Sequence, residues 1–166
     1  PMFKEAGSPL PKNVRVAVGL PFGTRKAIGQ CFHTSCSEDK GREIWVSPVL
    51  GGDPLAITGT LVHELCHAAL PDGTGHGKDF STLGRAMLLT GKPTEMGHGG
   101  DEFAAVWTPI LKEIGRYPGK VFSPGAGKKT KKTYMIKLAC EPCGAIWRMT
   151  AGHADRVTAC PCCGSD

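Results

Sequence analysis

The chain has 166 residues, enough for one modest domain and an appendage, and no apolar run approaches the length of a membrane span. Its 23 glycines point to many turns and loops. The formal charge of +5 is unevenly spread: residues 1–118 carry 12 Lys and Arg against 12 Asp and Glu, and residues 119–166 carry 8 against 3. The C-terminal piece is thus the part suited to a polyanion, or else a solvated linker that keeps the chain soluble.

In chain order, Val14, Val16 and Val18 alternate over Asn13 to Val18, a short strand signal. Leu20-Pro21-Phe22-Gly23 is a turn, and Lys26 to Phe32 reads as a second strand. Thr34 to Gly41 is a polar hairpin loop, and Glu43 to Ser47 is a third strand ended by Pro48. Cys31, His33 and Cys36 lie close together but have no fourth ligand or second knuckle beside them, so a strand end without metal is the expectation.

A helix follows. Asp53 is a good N-cap and Pro54 is pre-set for the first helical position. Ile57, Leu61 and Leu65 repeat every four residues, and Val62 and Ala69 fill out one apolar stripe. Pro71-Asp72-Gly73 stops the helix after Leu70. Its last turns carry His63-Glu64-x-x-His67. Residues four apart share a helix face, so the two imidazoles can hold one metal ion from the same side. Glu64 lies beside the first of them, within reach of a water on that metal, which is the arrangement of zinc metalloproteases.

A catalytic zinc takes three protein ligands and leaves one position for water. The third must come from outside the helix. The turn at Pro71-Asp72-Gly73 and the glycines flanking His76 let the backbone fold back sharply, which makes His76 the expected third ligand. A downstream carboxylate, Glu95 or Glu102, is the competitor. Cys66, inside the motif, is expected to pack as a small buried residue.

Asp79 to Thr90 reads as a helix with Phe80, Leu83, Met87 and Leu88 as its core stripe and Gly91 as the stop. Lys92 to Gly100 is a loop in which His98 is expected to be exposed, although it could contact substrate; Tyr117 and His98 are the candidates for an oxyanion donor or a support behind the metal ligands. Asp101 to Ile114 reads as a last helix, capped by Asp101 and kinked or shortened by Pro109. Ser123-Pro124-Gly125-Ala126-Gly127 is a flexible linker that leads into Lys128, Lys129, Lys131 and Lys132.

Five of the eight cysteines fall in the last 27 residues, as Cys140-x-x-Cys143 and Cys160-Pro161-Cys162-Cys163. Knuckles with 16 residues between them match a zinc ribbon rather than a disulfide scaffold. Tyr134 to Ala139, Ala145 to Met149 and Arg156 to Ala159 would be its strands. Cys160 and Cys163 are the expected ligands of the second knuckle, with Cys162 as a possible replacement. Four thiolates close the shell, so that zinc is structural. Thiolate–zinc chemistry fits a reducing compartment, cytoplasmic or in the nucleoid or nucleus.

Three of these motifs together resemble the SprT-like (Spartan-like) metallopeptidases. They are His63-Glu64-Leu65-Cys66-His67-Ala68-Ala69, then Gly75-His76-Gly77-x-x-Phe80, and upstream Ile28-Gly29-Gln30-Cys31 with Ile44-Trp45-Val46-Ser47-Pro48. The resemblance covers roughly Asn13 to Thr90 and continues in the ribbon, while Lys92 to Lys120 matches no motif of the family. It implies an α+β chain with three parts: a zincin-like peptidase domain over residues 1–120, a basic linker over 121–133, and a zinc ribbon over 134–166. It implies two zinc ions, one catalytic and one structural, and an endopeptidase acting on proteins at DNA. Glu64 is the expected general base, and Lys128, Lys129, Lys131 and Lys132 are expected to contact DNA. The competing reading is a nucleic-acid-binding or transcription-associated ribbon protein whose H-E-x-x-H domain does no proteolysis. No membrane partner is expected, and the oligomeric state is not legible.

Overall fold

The computed structural model describes residues 1–23, 27–115, 119–123 and 134–165. The chain is mixed α+β and divides into two compact units, Pro1–Pro124 and Gly125–Asp166. The division falls within the expected linker, whose four lysines lie outside the described residues.

Three strands form the sheet of the first unit: β1 (Val14–Val18), β2 (Gly29–Cys31) and β3 (Arg42–Val46), in the order β1-β3-β2. β1 runs parallel to β3, and β2 antiparallel to it. β2 is shorter than the expected strand over Lys26 to Phe32. β3 alternates, as a strand with two different faces must. Arg42, Ile44 and Val46 are buried on one face, while Trp45 turns to the other and meets Phe32 edge-on at 5.0 Å.

The helix α2 (Pro54–Ala69) lies against the buried face of that sheet. The Asp53 side chain accepts from the Ala56 N–H at 3.0 Å, a cap whose loss costs about 1 kcal/mol. One apolar stripe is expected on this helix, but two are present. Ile57, Leu61, Leu65 and Ala68 pack under Ile44 and Val46. Val62 and Cys66 turn the other way and join Phe80, Leu83, Met87, Leu89, Met96 and Phe103. α2 is therefore a central layer, and the H-E-x-x-H residues occupy the sector between its two apolar faces.

The second apolar cluster is closed by α3 (Lys78–Ala86), the two-residue strands β4 (Leu89–Thr90) and β5 (Gly97–His98), and α4 (Asp101–Ile114). α3 ends four residues before the expected Thr90. Leu88 adopts a left-handed turn with φ 63°, and Leu89 and Thr90 pair antiparallel with β5 instead of continuing the helix. Leu89, 2 % exposed, takes the core position expected of Leu88, which is only half-buried, because the chain leaves the helix before it. α4 has the expected span but not the expected cap: Gly100 precedes it, and Asp101 sits in its first turn, where a carboxylate favours the helix dipole. A single-turn helix, α1 (Met2–Glu5), adds Met2 and Phe3 to the same cluster.

The second unit is a hairpin of β6 (Met135–Ala139) and β7 (Ile146–Thr150), followed by the short helix α5 (Ala151–Ala154). The strand expected over Arg156 to Ala159 is absent; those residues run through turn and coil into the second knuckle. Among the described residues no helix is long and apolar enough to cross a membrane.

Candidate metal centres

α2 places His63 and His67 one turn apart, and the chain must then double back to add a third ligand. Two devices achieve this. Gly73 and Gly75 take φ values of 82° and 60°, where a side chain would be strained. Gly77, by contrast, is extended and needs no such freedom. The turn is also tied to the sheet. Arg42, buried on β3, donates to the Leu70 carbonyl at 2.8 Å and pairs with Asp72, whose carboxylate also accepts from the Thr34 hydroxyl.

The result brings three imidazoles together. His76 Nε2 lies 3.2 Å from His63 Nε2 and 3.1 Å from His67 Nε2. Nitrogens about 2.0–2.1 Å from a zinc ion at tetrahedral angles stand roughly 3.3 Å apart, so the spacing fits that ion. The Phe80 ring, fully buried, backs all three, with centroids 4.8, 4.3 and 4.9 Å from His63, His67 and His76. The Met96 carbonyl accepts from His63 Nδ1 at 2.9 Å, which leaves Nε2 of that ring as a lone pair aimed at the others. Burial lowers the pKa of all three rings, that of His67 to about 4, helped there by the other two histidines. They are neutral at pH 7, the form that binds metal. His76 is thus the third member of the group; Glu95 and Glu102 are outside it.

Glu64 is 7 % exposed. Burial pushes its carboxyl up to about 7, against a hydrogen bond from the Cys31 backbone N–H that pulls it down. Cys66, between the two helix histidines, is fully buried, as a packing residue should be.

A groove of about 890 Å³ opens over these residues. Its walls are β2 with its flanks, the turn over residues 71–76, and the segment from Thr94 to Gly99. His98 lines it and is half-buried rather than an exposed loop residue, with Nε2 4.0 Å from Asp53 Oδ2. It comes this close because α2 has glycine at position 59, where a Cβ would stand 2.5 Å from the His98 nitrogen. Tyr117 lies outside the described residues.

The second centre is the ribbon. Cys140, Cys143, Cys160 and Cys163 form one group, with Sγ atoms 3.6 Å apart for Cys140–Cys163 and for Cys143–Cys160. Sulfurs about 2.3 Å from a tetrahedral zinc ion stand roughly 3.8 Å apart, so this set also fits. Hydrogen bonds from Ser165 bring the Cys163 thiol down to about 6, toward the thiolate that a metal needs. Cys162 is exposed and does not belong to the group.

The residues that support the first centre leave little trace in the sequence. Arg42 and the Met96 carbonyl have no motif around them; Asp72 is legible only as part of a turn and Cys31 only as part of a strand, since a backbone group has no residue signature at all. Compared with protein-family models, curated proteins and solved structures, the chain finds no match.

Proposed function

We propose that the chain is a zinc-dependent endopeptidase of the SprT-like kind, with a zincin-like catalytic unit and a structural zinc ribbon, acting on proteins at DNA. One observation carries the reading: three neutral imidazoles converge through Nε2 beside a buried carboxylate, in an open groove. Three ligands leave a position for water, whereas the four thiols of the ribbon leave none.

When bound, zinc supplies an acidified water and a Lewis acid for a carbonyl. The remaining work falls to the chain. Glu64 accepts the proton of the attacking water and returns it to the leaving amine; its burial raises its proton affinity above that of an exposed carboxylate. The Met96 carbonyl keeps His63 in the tautomer that presents Nε2. Phe80 excludes water from behind the three rings.

A peptide substrate fits the groove wall. β2 is an edge strand, and Gly29 turns its N–H and C=O, and Cys31 its C=O, away from β3. An extended peptide adds to such an edge through main-chain hydrogen bonds. DNA as a partner is supported by charge. All of the net +5 lies in residues 119–166, and in the ribbon Lys137 stands directly opposite Arg148. Like charges opposite one another weaken a hairpin, a cost that a bound polyanion would offset. Tyr134 is 75 % exposed, a surface on which a base could stack.

The test is cleavage of a DNA-binding protein by the wild-type chain and by Glu64→Gln, with and without DNA. Cleavage that needs Glu64 and rises with DNA supports the whole reading. Equal activity of the two proteins removes the peptidase, and indifference to DNA removes the partner.

A further inference from the structure

The contact between Glu64 and β2 goes beyond a groove wall. In the β2–β3 ladder the Phe32 N–H donates to the Glu43 carbonyl at 2.8 Å, and the Ser47 N–H donates to the Ile28 carbonyl at 2.9 Å. Residues 28, 30 and 32 therefore pair with β3, and Gly29 and Cys31 direct their N–H and C=O groups to the outer edge. The side-chain positions of Gly29 and Cys31, opposite Val46 and Ile44, face α2, and there β2 meets Glu64. The Cys31 N–H is the backbone donor that acts on the Glu64 carboxylate and draws its pKa down against burial. At Gly29 a Cβ would lie 2.6 Å from Glu64 Oε1, 2.9 Å from Glu64 Cγ and 2.6 Å from Thr60 Cγ2. Gly29 is not in the left-handed region, so any residue could adopt its backbone; only the lack of space excludes a side chain.

We propose that β2 is the seat of Glu64, with Gly29 and the Cys31 amide as positioning groups that set where the general base stands. Glu64 is almost without solvent, and its side chain has three torsions to settle. The bare backbone at Gly29 admits the carboxylate against the strand. The Cys31 N–H then takes one of its acceptor sites, leaving others for a proton in transit. A strand that guides substrate would by this means also hold the base, so both are referred to one rigid element. The kinetic part of this inference rests on the peptidase reading; the structural part does not.

Two measurements test it on the full-length zinc-loaded chain. The first is amide hydrogen exchange by NMR in the wild type and Glu64→Ala. The Cys31 amide should be protected in the wild type and exchange about tenfold or more faster in the variant, the effect of losing a bond to a charged acceptor. The outward amide of Gly29 is the internal control and should change much less. The second is the kinetics of Gly29→Ala. Its kcat should fall about tenfold to a hundredfold at unchanged zinc content, with KM within about twofold, because a base displaced by an ångström is costly. In the Thr60→Ser, Glu64→Asp background, where the Thr60 methyl is gone and the carboxylate is drawn back, Gly29→Ala should cost far less. An unchanged Cys31 exchange rate in Glu64→Ala overturns the seat. So does an equal loss from Gly29→Ala in both backgrounds. If the wild type cleaves nothing, the peptidase reading fails and the exchange measurement alone decides this one.

Discussion

The two candidate metal centres are built on opposite plans. The ribbon takes all four ligands from two knuckles of four residues each, on one short hairpin unit. The histidine centre takes two ligands from a helix and one from the turn beyond it. It is supported by β2, by β3 through Arg42, by the Met96 carbonyl before β5, and by Phe80 on α3. Its ligand set is open and has a carboxylate beside it; the other is closed. The contrast shows where chemistry is possible. A closed thiolate shell stabilises a fold that is too small to hold itself, whereas an open shell needs a surrounding domain to keep its geometry without a fourth ligand.

The sharpest test of this contrast is Glu64→Gln. Both zinc ions should remain and cleavage should fall by about 10²–10⁴-fold, since an amide accepts no proton from water. Residual activity within about tenfold of wild type, measured on a protein substrate, would place the chemistry elsewhere. His76→Ala separates the centres next. Metal analysis should drop from two zinc ions to one per chain, with the ribbon ion retained, whereas Cys160→Ser should remove the other ion. Loss of both ions in either variant would mean that the centres are not independent.

Asp72→Asn probes the support of the open centre. It leaves the buried Arg42 without its carboxylate and loosens the turn that carries His76. A competition titration should show zinc affinity at the histidine centre lowered about tenfold to a hundredfold, as for other groups behind metal ligands, with the ribbon unaffected. The smallest effect expected is on DNA. If about four to six phosphates are neutralised, the slope of log K against log salt should be roughly −3 to −5. Replacing Lys128, Lys129, Lys131 and Lys132 with Ala should flatten it and weaken DNA-stimulated cleavage, while cleavage without DNA changes little. An unchanged slope would assign the lysines another role.

Local chemistry was legible in the sequence. The Asp53 cap, the span of α2, the face shared by His63 and His67, and the paired knuckles all depend on residues within a few positions of one another, where backbone geometry alone decides. His76 was legible too, because glycines and a turn just after a helix stop leave the chain few ways to go. What needed tertiary structure was whatever joins distant segments. α2 carries two apolar faces because a sheet covers one and α3 and α4 the other, and spacing along one helix does not count its neighbours. α3 stops at Ala86 because Leu89 and Thr90 find partners in Gly97 and His98, a pairing that outweighs helical propensity. Arg42 reaches Asp72 across 30 positions, and the Cys31 amide reaches Glu64 across 33. Hydrogen bonds of that range become favourable only after hydrophobic packing has met the entropy of closing the loops between them.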